Sequence, residues 1–172
     1  MSSGSSVTVV VTDANILINF MRAEHLSLLG ALTSFEFVIP EEVVAEITNP
    51  VQREQLEAAL TRGELHTFVL EDTTELTIYA ELRHVMGKGE AACLALAEVR
   101  GWIVASDEKK RFRREVRARL GEGRLVTTAG LFVLAIRAGL LSVEEADQAK
   151  EMLERHRFRM KFPSFRDLIE DK

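Results

Sequence analysis

Four acidic residues fall at places where carboxylates can act together. Asp13 lies two residues past the run Val7-Thr-Val-Val-Val11, and Asp107 stands in the same relation to Trp102-Ile-Val-Ala105. Glu46 sits in Val43-Val-Ala-Glu-Ile47, and Glu90 directly follows Gly87-Lys-Gly89. Several carboxylates in one cleft repel each other and partly protonate unless a cation sits among them. Oxygen donors of this kind suit Mg²⁺ or Mn²⁺ far better than zinc. A pair of such ions, about 3.5–4 Å apart, supports in-line attack of water on a phosphodiester. Each acid alone has a plainer reading. Asp13 and Asp107 can cap the helices that follow them, Glu90 can complement a helix dipole, and Glu46 can be a surface acid. Glu46 borders the helix face defined by Val43, Val44 and Ile47, and the weight lies in the coincidence of all four acids.

The elements that would position them alternate. Val7–Val11 is β-branched with no helical period, which predicts a strand buried on both faces. A helix is expected over Asn15–Leu32 and a short strand over Glu36–Ile39. Pro40 is placed to open a helix with Glu41 and Glu42 in its first turn, and Pro50 to end it. Further helices are expected over Gln52–Arg62 and Thr74–Val85, with a strand at His66–Leu70 between them. Glu90–Val99 is apolar nearly all round and should be a buried helix. Trp102–Ala105 and Arg124–Thr127 read as strands, and Ala129–Ala138 as an apolar helix stopped by Gly139. Ser142 with Glu145 forms a capping box for one more helix. The tail carries Phe158, Phe162, Phe165 and Leu168, suited to packing on the body or to a partner. Such alternation predicts an α/β fold, a three-layer α/β/α sandwich with a mostly parallel central sheet. Ligands in such folds bind beyond the carboxyl ends of the strands, the rim on which all four acids can converge.

Composition narrows the classes. The 172 residues are 47% hydrophobic and 28% charged, enough apolar residue for one packed domain and too much for a disordered chain. No apolar run approaches the roughly 20 residues of a membrane-spanning helix. The lone Cys93 reads as a small buried hydrophobe in a reducing compartment, and Met1–Ser6 as a flexible lead without signal-peptide character; the expected location is cytoplasmic. The net charge is −5, yet Lys109–Arg119 holds seven basic residues against Glu115 alone. Phe112, Val116 and Leu120 can dock that helix and leave its charges outward, either as a solvated face or as a phosphate-contacting strip. Within it Lys109, Lys110, Arg113 and Arg117 are the candidate substrate contacts. The four histidines share no metal-ligand spacing, and Gly87-Lys-Gly89-Glu90 lacks the P-loop frame, although Lys88 could touch a phosphate.

Four segments in order, Val11-Thr-Asp-Ala-Asn-Ile-Leu-Ile18, Pro40-Glu-Glu-Val-Val-Ala-Glu-Ile47, Gly87-Lys-Gly-Glu-Ala-Ala-Cys-Leu-Ala-Leu-Ala97 and Val104-Ala-Ser-Asp-Glu-Lys-Lys110, closely resemble the PIN-domain ribonucleases, including the VapC-type toxins of toxin–antitoxin pairs. The resemblance spans about Val7–Leu141. It implies a PIN-like nuclease domain over residues 7–141, with 142–172 as a helical extension packed on the same domain. It also implies a Mg²⁺- or Mn²⁺-dependent endoribonuclease with Asp13, Glu46, Glu90 and Asp107 as the acidic, metal-binding cluster. Asn15 matches the small polar position after the first acid, and Thr128 a polar position in the turn before a later helix. The toxin branch implies a homodimer, an RNA substrate and a cognate antitoxin protein. The sequence departs from the family pattern at Glu108, where many members carry a second Asp, and at Thr127-Thr128, where the turn usually reads Gly-Thr.

Two other readings stand beside this one. A PIN fold that binds RNA or protein without cutting has no physical reason to retain the four acids together. A Mg²⁺-dependent phosphatase with an Asp nucleophile typically carries a second Asp two residues on, where this chain has Asn15.

Overall fold

A computed structural model describes residues 6–170; of the lead expected over Met1–Ser6, all but Ser6 lies outside them. The chain runs β1 (Thr8–Thr12), α1 (Ala14–Arg22), α2 (Ser27–Ala31), β2 (Phe35–Pro40), α3 (Glu41–Glu46), α4 (Pro50–Thr61), β3 (His66–Phe68) and α5 (Thr73–Leu82). It continues through α6 (Lys88–Arg100), β4 (Ile103–Ala105), α7 (Lys110–Leu120), β5 (Leu125–Val126), α8 (Thr128–Arg137), α9 (Val143–Arg155) and α10 (Phe165–Glu170). The five strands form one sheet in the order β3-β2-β1-β4-β5, and every pairing is parallel. Helices cover both faces, which is the expected three-layer α/β/α sandwich.

The strand order reverses between β1 and β4: the chain leaves β1 toward β2 and leaves β4 toward β5. Their carboxyl ends open into the crevice where doubly wound sheets bind ligands. Val10 and Val11 are buried at the centre of the sheet, as the β-branched run requires. Ala91–Ala97 of α6 are all inaccessible. Small side chains let this helix lie close against β1, β2 and β4, which brings its first turn to the rim. Gly101 closes α6 in a left-handed conformation, φ 71°, that glycine adopts without steric cost.

Strand β3 and helix α5 end early, at Phe68 and Leu82 against the expected Leu70 and Val85, and two larger departures have a backbone cause. Asn15–Leu32 is two helices, because Glu24 turns left-handed at φ 61° and its N–H and that of His25 close α1 on Met21 O and Phe20 O. Pro50 does not end the third helix. That helix stops at Glu46, and Pro50 opens α4, where its missing N–H is no loss and Asn49 caps the first turn.

The tail packs back. Phe165 is inaccessible, 5.7 Å from the Phe132 ring, which itself stacks on Phe20 at 4.8 Å. Asp147 of α9 holds the start of α10 through Ser164 Oγ (2.7 Å) and Phe165 N (2.8 Å). The Ser142–Glu145 capping box forms reciprocally, both bonds at 3.0 Å. No helix among the described residues is long and apolar enough to cross a membrane.

Candidate functional site

Asp13 follows β1 and is the N-cap of α1, so its structural and chemical readings coincide. Its Oδ1 accepts the Ala14 N–H (2.8 Å) and its Oδ2 the Ser106 hydroxyl (3.2 Å). The residue is 3% exposed. Burial, and then the charges of Glu46 and Glu90, push its carboxyl up to about 7, against the pull of those two hydrogen bonds. Glu90 lies in the first turn of α6 and reaches back to the Gly87 N–H at 3.4 Å. Its carboxyl is also raised, by burial first and then by Glu108 and Glu46.

Glu46 is exposed at the end of α3, and its Oε1 accepts the Gly89 N–H at 2.8 Å. A carboxylate at the positive end of α6 is favourably placed. The approach is close: a Cβ on Gly89 would fall on Glu46 Oε1 and stand 2.9 Å from its Cδ, so a larger residue would displace the carboxylate. Thus Asp13, Glu46 and Glu90 share one electrostatic neighbourhood.

Asp107 follows β4 but is held from another side. Its Oδ1 accepts the Thr128 N–H (2.9 Å), and its Oδ2 accepts both Asn19 Nδ2 (2.9 Å) and the Thr128 hydroxyl. Lys109, not Asp107, is the N-cap of α7, so Asp107 instead serves the N-terminus of α8. Asn15 links the two sides, accepting the Asp107 N–H at 3.2 Å and donating to Glu108 Oε1 at 3.2 Å. Among the described residues, no three carboxylate, imidazole or thiol groups are gathered closely enough to hold an ion.

Three contributors were not singled out from the sequence. Asn19 is 4% exposed and donates to Asp107 and Thr128. An asparagine among Ile16, Leu17 and Phe20, on the buried face of α1, was the available signal. Ser106 is inaccessible and joins Asp13 to the Glu108 N–H. Glu42, one turn before Glu46, buries its Oε1 with no partner among the described residues. Behind the site, burial and the charges of Asp13, Glu46, Glu42 and Glu90 push the Cys93 thiol well up, so it stays protonated and unreactive.

The model of a family described as PIN domain matches residues 9–171. This chain belongs to the PIN domain family. PIN domains are generally nucleases that use divalent metal ions. No curated protein matches the sequence. Among solved structures, a chain in the crystal structure of VapBC2 from Rickettsia felis, bound to a DNA fragment from their promoter, aligns at TM-score 0.48 and 17% identity. The alignment covers 70% of this chain and 97% of that one.

The basic helix of this PIN domain divides its charges. Phe112 and Val116 dock it, as expected. Arg119 turns inward to Glu98 (3.3 Å) and Glu115 (3.1 Å), and Arg111 to the Val85 carbonyl. Arg117 pairs with Glu122 at 2.9 Å in full view of solvent. Lys109, Lys110 and Arg113 line a depression that has Asp107 in its wall. Lys88 is exposed.

Proposed function

We propose that this PIN domain is a Mg²⁺- or Mn²⁺-dependent endoribonuclease with Asp13, Glu46, Glu90 and Asp107 as its acidic centre. The observation that carries the reading is Asp13. A buried carboxylate kept for structure is ordinarily neutralised by Lys or Arg, whereas the neighbouring charges acting on Asp13 are both carboxylates. Oxygen donors of that kind suit a hard divalent cation, which would have to draw the carboxylates closer than they stand here. Bound there, such an ion would offset the repulsion, favour the ionised acids, polarise a phosphodiester and activate a water.

The chain's own groups do the positioning. Ser106 and the Ala14 N–H fix Asp13, Gly89 fixes Glu46, and Gly87 fixes Glu90. Thr128 and Asn19 hold the Asp107 carboxylate, and Asn15 holds its backbone. Lys109, Lys110 and Arg113, which line the depression beside Asp107, would bind substrate phosphates, and Arg117, paired with Glu122 further out, would reach a phosphate by exchanging that partner. Resemblance to the toxin branch supports a cognate antitoxin and a homodimer; co-purification with neighbouring gene products and light scattering read these out.

The test is cleavage of end-labelled RNAs by the full chain with Mn²⁺, with Mg²⁺ and with EDTA. Cleavage should require the metal and fall at least about 100-fold in Asp13→Asn, as for loss of a central electrostatic group. Cleavage that survives both EDTA and the substitution would overturn the reading. RNA binding without cleavage under any metal would make the protein an inert binding module.

A further inference from the structure

We propose that the segment after α9, Phe158–Phe162, forms with the start of α7 a track for single-stranded RNA leading to Asp107, with the Phe158 ring as a base-stacking platform. The proposal deepens the ribonuclease reading and rests on it for the identity of the nucleic acid.

Two depressions meet at Phe158. One, of about 420 Å³, carries Lys109, Lys110, Arg113, Arg159 and Lys161, with Asp107 as its only carboxylate. The other, of about 490 Å³, lies toward α1 and carries Asn15, Asn19, Arg22, His156 and Arg157, with Glu108 beside Asp107 as a second carboxylate. Asp107, Lys109 and Phe158 line both. A strand passing over Phe158 would cross directly beside the acidic centre.

Charge selects the occupant. The chain carries 22 basic and 27 acidic residues, yet five cations gather in the first depression. Among the described residues none of the five forms an ion pair with a carboxylate. Unpaired cations beside a ring that packs partly on the core and still borders both depressions match a flexible polyanion with bases to stack.

The local structure aims these groups. Met160 is buried, which pins the segment, while Arg159 and Lys161 on either side of it are exposed. Phe158 and Phe162 both pack partly on the core and line the first depression; Phe162 also packs on Phe165 at 5.0 Å, and Phe158 alone of the two borders the second depression. Arg157 closes α9 in a left-handed conformation, φ 66°, with its N–H on Glu154 O and the Phe158 N–H on Leu153 O, both at 2.9 Å. Glycine is the ordinary occupant of that position. Here an arginine holds it and lines the second depression.

The experiment is fluorescence anisotropy of the full chain in EDTA with labelled single-stranded RNA, duplex RNA and an acidic peptide. Phe158→Leu keeps an apolar contact and removes the π face. It should weaken single-strand binding about 5- to 150-fold, the equivalent of about 1–3 kcal/mol for a stacked base, with Phe158→Trp restoring it. Arg159→Ala with Lys161→Ala should reduce the slope of log affinity against log salt by about 1.4, at roughly 0.7 per phosphate. Arg157→Gly should weaken binding while the melting temperature holds or rises. Wild-type affinity in Phe158→Leu, equal binding of duplex, no single-strand binding by wild type, or preferential capture of the peptide would each overturn the proposal. RNA cleavage with unaltered Phe158→Leu binding would sink the track alone. Phe158-dependent binding without cleavage would sink the nuclease reading alone.

Discussion

In metal-free protein, Asp13→Asn should be more stable than the parent at neutral and alkaline pH. In the unfolded chain this carboxyl ionises near 3.8, and in the fold it is held to about 7. Below about pH 4 both states carry the proton, and the site costs nothing. As pH rises toward 7 the unfolded chain releases its proton first, so folding stability falls, and above 7 the loss is complete. About three units at 1.36 kcal/mol each give roughly 4 kcal/mol. Asparagine keeps an acceptor for the Ala14 N–H, and its amide can donate to Ser106 Oγ in place of the present bond; imperfect reversal gives back about 1 kcal/mol. The variant should therefore gain about 3 kcal/mol at pH 8, or about 6–12 °C for a chain of this size. Between pH 5 and pH 8 its advantage should grow by about 2.7 kcal/mol. Urea unfolding in EDTA at the two pH values measures this directly. Mn²⁺ at 100 times its Kd should add about 2.7 kcal/mol to the parent and much less to the variant. A variant less stable than the parent by the same amount at both pH values would refute the account of a carboxylate held against its own charge.

Other substitutions separate positioning from packing. Gly89→Ala should leave thermal stability within about 1 kcal/mol, because a helix-favouring methyl offsets one lost hydrogen bond. By displacing the Glu46 carboxylate it should weaken Mn²⁺ binding at least about tenfold, read by calorimetry; unchanged affinity would remove Glu46 from the centre. Thr128→Val should cost about 1–3 kcal/mol, since Thr128 is inaccessible and Asp107 and Asn19 lose a partner. RNA cleavage should fall with it and recover in Thr128→Ser. Phe165→Ala should cost about 3–5 kcal/mol in chemical unfolding, as for any buried phenylalanine; a loss under 1 kcal/mol would mean the extension is dispensable to the core.

Much of this molecule is local and therefore legible in its residue order. A β-branched run makes a central strand, an alanine-rich run makes a buried helix, and alternation of the two makes a parallel sheet whose strand ends share one rim. That Asp13 and Asp107 fall just past β1 and β4 follows from those periods alone. Boundaries were less legible where the backbone broke its own pattern. The left-handed Glu24 divides one expected helix because tertiary contacts need the chain to turn there, and propensity carries no trace of that need.

Tertiary structure decided the partners. Asp107 meets Thr128 and Asn19, 21 and 88 residues away, because β5 pairs with β4 and α1 packs against α8. The Gly89 N–H meets the carboxylate of a residue 43 positions earlier, a contact that a Cβ on Gly89 would displace. The tail's aromatics part company only on folding: Phe165 is fully buried against Phe132, while Phe158 packs at the edge of the core and lines the depressions that Asp107 also lines. Periodicity along a chain says which face of an element seeks the core. Which distant groups then touch is set by packing, and packing is a property of the whole chain.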